Sequence, residues 1–133
     1  SGWRSTVLDI VGETIAAMAR EYGSEPGDLI AAIGPSISAD NYRVGPEVVA
    51  QFEAVFADAG GILSARDDEG GAQLDVGEAC RRQLLKAGLR AEKIERSQLC
   101  TYAEEARLFS ALRAHHRGQS GIFGGQAGII GLR

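Results

Sequence analysis

The sequence predicts an α/β fold, with α+β as the other arrangement it allows: a mixed sheet with helices packed on it. Three observations carry this. Stretches whose apolar residues recur at helical spacing alternate with short apolar runs of strand length. Eighteen glycines fall mostly between those segments, where tight turns are needed. A length of 133 residues suffices to bury one core, so residues 1–133 are expected to form a single domain.

The elements follow in order. Val7, Ile10, Val11, Ile15 and Met18 make one apolar stripe, which predicts a helix over 5–22. Ser5 or Thr6 can cap its start, and Gly23 can end it in the left-handed conformation. "SEPGD" is a turn. "LIAAI" (29–33) is bounded by turn signals and predicts a buried strand. "GPSISADN" is loop chemistry, and "YRV" (42–44) a short strand. Pro46 suits the first turn of a helix whose inner face is Val48, Val49, Phe52, Val55 and Phe56, running to about Asp58. "GGILSA" (60–65) and "AQLDV" read as strands joined by the turn "RDDEGG". Asp75 and Glu78 form a capping box for a helix to Ala87, with Val76, Cys80 and Leu84 inward and Gly88 ending it. "KIERS" (93–97) is a strand, 103–109 a helical turn, and "AGIIGL" (127–132) a last strand.

Composition narrows the function. Net charge is −4 with no Lys/Arg cluster, which argues against a nucleic-acid partner. No apolar run approaches the ~20 residues that span a bilayer, and there is no signal-peptide layout. Two cysteines, Cys80 and Cys100, argue against a disulfide scaffold and predict a cytoplasmic protein.

Candidate chemistry sits in two places. In "GWRST" the free N–H groups of a helix start, with Arg4 beside them and Gly2 allowing close approach, can hold a phosphate or carboxylate. The plain alternative is Trp3 on the core and Arg4 in solvent. In "LCTYAEEARLFSALR" (99–113), Cys100, Thr101 and Tyr102 crowd polar groups behind a strand end. A Cys–His pair with His115 or His116 is conceivable, although adjacent histidines in a strand face opposite ways. No HxxxH or CxxC spacing supplies a metal site from this chain. "GQSGIFGGQAG" (118–128) fits no phosphate-loop pattern and reads as a turn. The acid pairs Asp67/Asp68 and Glu104/Glu105 read as solvated charge.

Five motifs in order resemble the laccase-domain family, also described as multicopper polyphenol oxidases, peptidoglycan editing factors and purine nucleoside phosphorylases. "GWRST" is similar to its "HAGWRG". "DLIAAIGPSISADNYRVGPEV" resembles "AAIGPSIGxxxYEVGxEV", and "LDVGEACRRQLLKAGL" resembles "LDLxxANRxQLxxAGV". "LCTYAEEARLFSALR" is similar to "CTYxxxxxFFSYRR", and "GGQAGIIGL" to "GRMAAxIxL". The resemblance implies that the chain corresponds to the C-terminal half of a member, whether as a fragment, one piece of a split protein or a shortened homologue. The family's zinc or copper ligands, two His and a Cys, would then lie upstream of Ser1, leaving no metal ligands in this chain.

The resemblance implies a metal-dependent purine nucleoside phosphorylase or adenosine deaminase, or a polyphenol oxidase, acting on a purine nucleoside and phosphate. Arg4 would be the anion clamp, and Cys100, Thr101, Tyr102 and Arg113 one pocket wall. Three departures fall on polar positions: Ser5 for Gly, "LFSALR" for "FFSYRR", which keeps Arg113 alone, and "GGQ" for "GRM". They leave open an alternative: a non-catalytic binding or dimerisation module, as a homo-oligomer or joined to a separate N-terminal half.

Overall fold

The computed structural model describes residues 2–119, 121 and 124–131. Helices and short strands alternate along the chain, and its strands form parallel and antiparallel sheets, an α/β arrangement. The parallel and antiparallel pairings belong to separate sheets. β1 (Ala31–Ile33) pairs parallel with β5 (Ile94–Arg96) in register Ala32 to Glu95. β2 (Arg43–Val44), β4 (Ala72–Leu74) and β3 (Leu63–Ser64) form an antiparallel sheet in that order.

The predicted helix over 5–22 is two helices. α1 (Trp3–Val7) ends at Leu8, and α2 (Ile10–Tyr22) starts after Asp9, which holds φ 52°. The Asp9 carboxylate accepts the Gly12 N–H at 3.1 Å, capping α2 in the middle of the apolar stripe. The stripe keeps its helical period across the break, so periodicity could not reveal it. Ser5 and Thr6 do not cap the start. Their hydroxyls donate back to the Gly2 carbonyl, each at 3.0 Å. Gly23 ends α2 at φ 65°, as its position predicts.

α3 (Pro46–Val55) begins at its proline and buries Val48, Val49 and Phe52. It stops before Asp58, and Val55 is exposed. The hairpin between β3 and β4 is real. The Asp67 side chain accepts the Glu69 and Gly71 N–H groups within its turn. α4 (Val76–Lys86) starts on a half capping box: Asp75 accepts the Glu78 N–H at 2.9 Å, while the Glu78 carboxylate turns to Arg81 and Arg82.

Three expectations fail. Residues 29–33 are not a buried strand: Ile30 and Ala32 are exposed, because helices cover one face of β1 and no described residue covers the other. His115 and His116 stand on a helix, α5 (Ala111–His116), and not on a strand; 103–109 before it make the expected helical turn, the Glu104 carbonyl accepting the Leu108 N–H at 2.8 Å. The Ser110 side chain accepts the Arg113 N–H and starts that helix. Residues 127–131 form no strand, with Ile129 96% exposed. Leu132 of that expected strand, and Ser120, Ile122 and Phe123 of the expected 118–128 turn, lie outside the described residues.

Two apolar clusters hold the structure. Phe52, Ile62 and Leu74 are fully buried between α3, the antiparallel sheet and α4. Ile15, Leu84 and Leu89 join α2 and α4 beneath β1 and β5. Gln83 ties α1 to α4 by donating to the Thr6 carbonyl at 2.6 Å.

Candidate functional site

Gly2 before α1, α2, β1, the loop after β1 and α4 converge on a cavity of about 590 Å³. Its floor is apolar, with Val11, Ile33, Val76 and Leu84, and its polar groups come from Ser36, Tyr42 and Thr101. Gly2, Gly34 and Gly77 also line it, so backbone stands where side chains would otherwise fill the space. Burial pushes the Tyr42 hydroxyl above its ordinary pKa, although the nearby Arg4 charge works against it. Tyr42 therefore stays a proton donor through the neutral range.

Cys100 lies beside this cavity. Ser36 pairs with it in an isolated parallel bridge that extends the β1–β5 direction. Its sulfur accepts the Ser38 N–H at 3.3 Å and the Ser38 hydroxyl at 3.2 Å, with the Asn41 amide 3.7 Å away. Asn41 in turn donates to Ser38 Oγ at 3.0 Å. Burial raises the thiol pKa, but hydrogen bonds from Ser38, Ala103 and Tyr102 outweigh it and hold Cys100 below the usual thiol range. Nothing in the local sequence marks Ser38 and Asn41 as partners of Cys100. Their stretch reads as loop, and the pairing spans more than fifty positions, a separation that no local pattern shows.

The five residues expected at the site fall in two groups. Thr101 lines the cavity. Arg113 packs against its backbone, donating to the carbonyls of Thr101 at 2.6 Å, Tyr102 at 2.8 Å and Leu108 at 2.6 Å. The guanidinium thus fixes the turn that carries Cys100, Thr101 and Tyr102. The Tyr102 hydroxyl meets His116 Nδ1 at 3.0 Å. Cys100 is engaged by Ser38, Asn41 and the backbone of Tyr102 and Ala103, while His116 meets the Tyr102 hydroxyl. Arg4 is exposed at the start of α1 and does not line the cavity, but its charge reaches Tyr42, and its guanidinium stands 4.6 Å from the Trp3 ring centroid.

Among the described residues there is no group of three or more His, Cys, Asp or Glu placed to hold a metal ion. Among them, too, no helix is long and apolar enough to cross a membrane.

The family model described as "Multi-copper polyphenol oxidoreductase laccase" matches residues 1–133. The chain belongs to this laccase family. A purine nucleoside phosphorylase of Bacteroides thetaiotaomicron is 37% identical over 113 residues, 85% of this chain and 42% of its own length. The purine nucleoside phosphorylase YlmD of Bacillus subtilis is 35% identical across the whole chain and 46% of its own length. An adenosine deaminase from an unknown prokaryotic organism is 36% identical over 85% of the chain and 43% of its own length. Among solved structures, a hypothetical protein YfiH of Bacillus licheniformis superposes on 91% of the chain with TM-score 0.82 and 32% identity. YlmD of Geobacillus stearothermophilus does so with TM-score 0.80 and 34% identity. The chain spans about half the length of these laccase-family relatives.

Proposed function

We propose that the chain forms one wall of a purine-nucleoside site and that the reaction served there is phosphorolysis. The cavity of about 590 Å³ carries this reading. Its size is within the ~300–1,000 Å³ of small-molecule sites. Its lining, an apolar floor with a few polar groups on one side, suits a flat purine with a polar edge. In phosphorolysis the bond from the ribose C1′ to the purine nitrogen breaks. A phosphate oxygen bonds to C1′, and the base leaves with a proton on nitrogen. The departing base needs hydrogen bonds where charge develops.

Tyr42, kept protonated by burial, is the proposed donor to the base. The Thr101 hydroxyl is the proposed second contact, and Arg113 positions it through the backbone. Arg4 supplies the positive charge for phosphate from the edge of the cavity. Cys100 supports the wall from behind.

The family description names copper. The donors described here do not fit a metal ion, since no three of them converge. We propose that its ligands come from polypeptide outside this chain.

Calorimetric titration of this chain with inosine tests the reading. Saturable binding is expected, weakened about tenfold by Tyr42→Phe, the loss of one hydrogen bond of roughly 1.4 kcal/mol. It should be abolished by Ile33→Trp, which fills the cavity. Binding that survives Ile33→Trp unchanged would overturn the site. A chain of full family length that binds inosine without phosphate-dependent release of hypoxanthine would overturn the reaction.

A further inference from the structure

We propose that residues 124–131 form a strap that closes over the mouth of the cavity, latched by Gln126, and that this strap controls how fast ligands enter and leave. The strap acts on the cavity itself, so its role stands whichever ligand the cavity takes.

The strap is fixed at one point. The Gln126 side-chain carbonyl accepts the Phe109 N–H at 2.9 Å, and its amide donates to the Phe109 carbonyl at 3.3 Å. One side chain thus gives Phe109 the pair of hydrogen bonds that a neighbouring strand would give. Gly124 lies against the Phe109 ring, where a Cβ would overlap the ring atoms, so only glycine lets the backbone come this close. Gln126 stands where the motif "GRMAAxIxL" has Met, so the latch is a feature of this chain and not of the motif.

Two residues beyond the latch, Gly128 reaches the cavity and lines it together with Gly2 and Thr101. Residues 127–131 belong to no helix or strand. Ile129 is 96% exposed and Ile130 69% exposed, beside a cavity whose floor is Val11, Ile33, Val76 and Leu84. Moving two isoleucines from water onto that floor is favourable. The latch keeps the segment at the rim, so the backbone beyond Gln126 has only a short swing to make. The strap therefore exchanges between the open arrangement of this structure and a closed one in which Ile129 and Ile130 cover the mouth.

Cys80 lines the cavity, so its thiol reports access. Its alkylation by iodoacetamide in the folded chain is followed on the Cys80 peptide by mass spectrometry, with the Cys100 peptide measured alongside. Gln126→Ala removes the latch and is expected to speed Cys80 labelling about threefold or more. Ile129→Ser combined with Ile130→Ser removes the cover without touching the latch and is expected to do the same. Because both isoleucines are exposed when the strap is open, this second variant should keep the melting temperature within about 2 °C of the parent's. Cys80 labelling at the parent's rate in either variant would overturn the proposal. A rise in Cys80 and Cys100 labelling by one common factor would also overturn it, because general unfolding and not the strap would then expose the thiols.

Discussion

Asp9 occupies the left-handed region at φ 52° while its carboxylate accepts the Gly12 N–H. An L-residue there costs roughly 1–2 kcal/mol, least for Asp and Asn, whose short polar side chains bond locally. Asp9→Asn keeps both the conformation and the cap and is expected to change stability by less than about 0.5 kcal/mol. Asp9→Ala loses the cap and keeps the strain, and should lower the urea unfolding free energy by about 1–3 kcal/mol.

Cys100 is the other residue whose neighbours set its chemistry. Ser38 donates to its sulfur twice. Its alkylation by iodoacetamide, followed on the Cys100 peptide by mass spectrometry, should rise with pH below the range of an ordinary thiol. Ser38→Ala removes the strongest hydrogen bond and should move that rise to higher pH. An unchanged profile would show that the sulfur does not depend on the Ser38 hydroxyl.

At the scale of elements, α4 is held at its first turns by charge. Glu78 accepts from Arg81 at 2.7 Å and Arg82 at 2.9 Å. The Arg81 hydrogen bond, opposed by burial and aided by Arg82, lowers its pKa from 4.5 to about 2. The folded value lies below the unfolded one, so this stabilisation is present above pH 4.5 and is lost as pH falls toward 2. Discounted for the partial exposure of Arg81, it is worth about 2 kcal/mol. Glu78→Gln should cost that amount at pH 7, and the gap from the parent protein should narrow between pH 5 and pH 3 in denaturant titrations.

The same turn needs Gly77. A Cβ there would stand 2.6 Å from Arg96 Nε, and Arg96 binds Asp75 at 2.5 Å. Alanine is normally the better helix former by about 0.5–1 kcal/mol. Gly77→Ala is nevertheless expected to destabilise by about 1 kcal/mol, because the guanidinium must leave its carboxylate. In the Arg96→Ala background the same substitution should be neutral or stabilising, and this double-mutant cycle isolates the clash.

For the whole molecule, the two apolar clusters share α4, with Val76 and Ala79 in one and Leu84 in the other. Phe52 is fully buried in the first cluster. Phe52→Ala should cost about 3–5 kcal/mol in urea unfolding, a large part of the ~5–15 kcal/mol that holds a domain together. Because α4 spans both clusters, that loss should appear as one cooperative transition to lower urea. Two separated transitions would show that the clusters unfold independently.

The periodicity of apolar residues determined where most of the elements lie, since burying one face is a local constraint that leaves a local trace. Pro46 at a helix start, Gly23 at a helix end and the 66–71 turn were legible for the same reason. The family was legible too, from five motifs in order, and the match over residues 1–133 bears it out. The break at Asp9 was not legible, because a capping carboxylate leaves the apolar period intact. Nor was the exposure of Ile30, because hydrophobicity says that a residue wants cover and not whether cover is there. Tertiary structure alone decided which groups meet: Ser38 and Asn41 on Cys100, Arg113 on three carbonyls, and Gly2 and Thr101 in one cavity. Those meetings join residues tens of positions apart, and their free energy depends on distances in space that no spacing along the chain encodes.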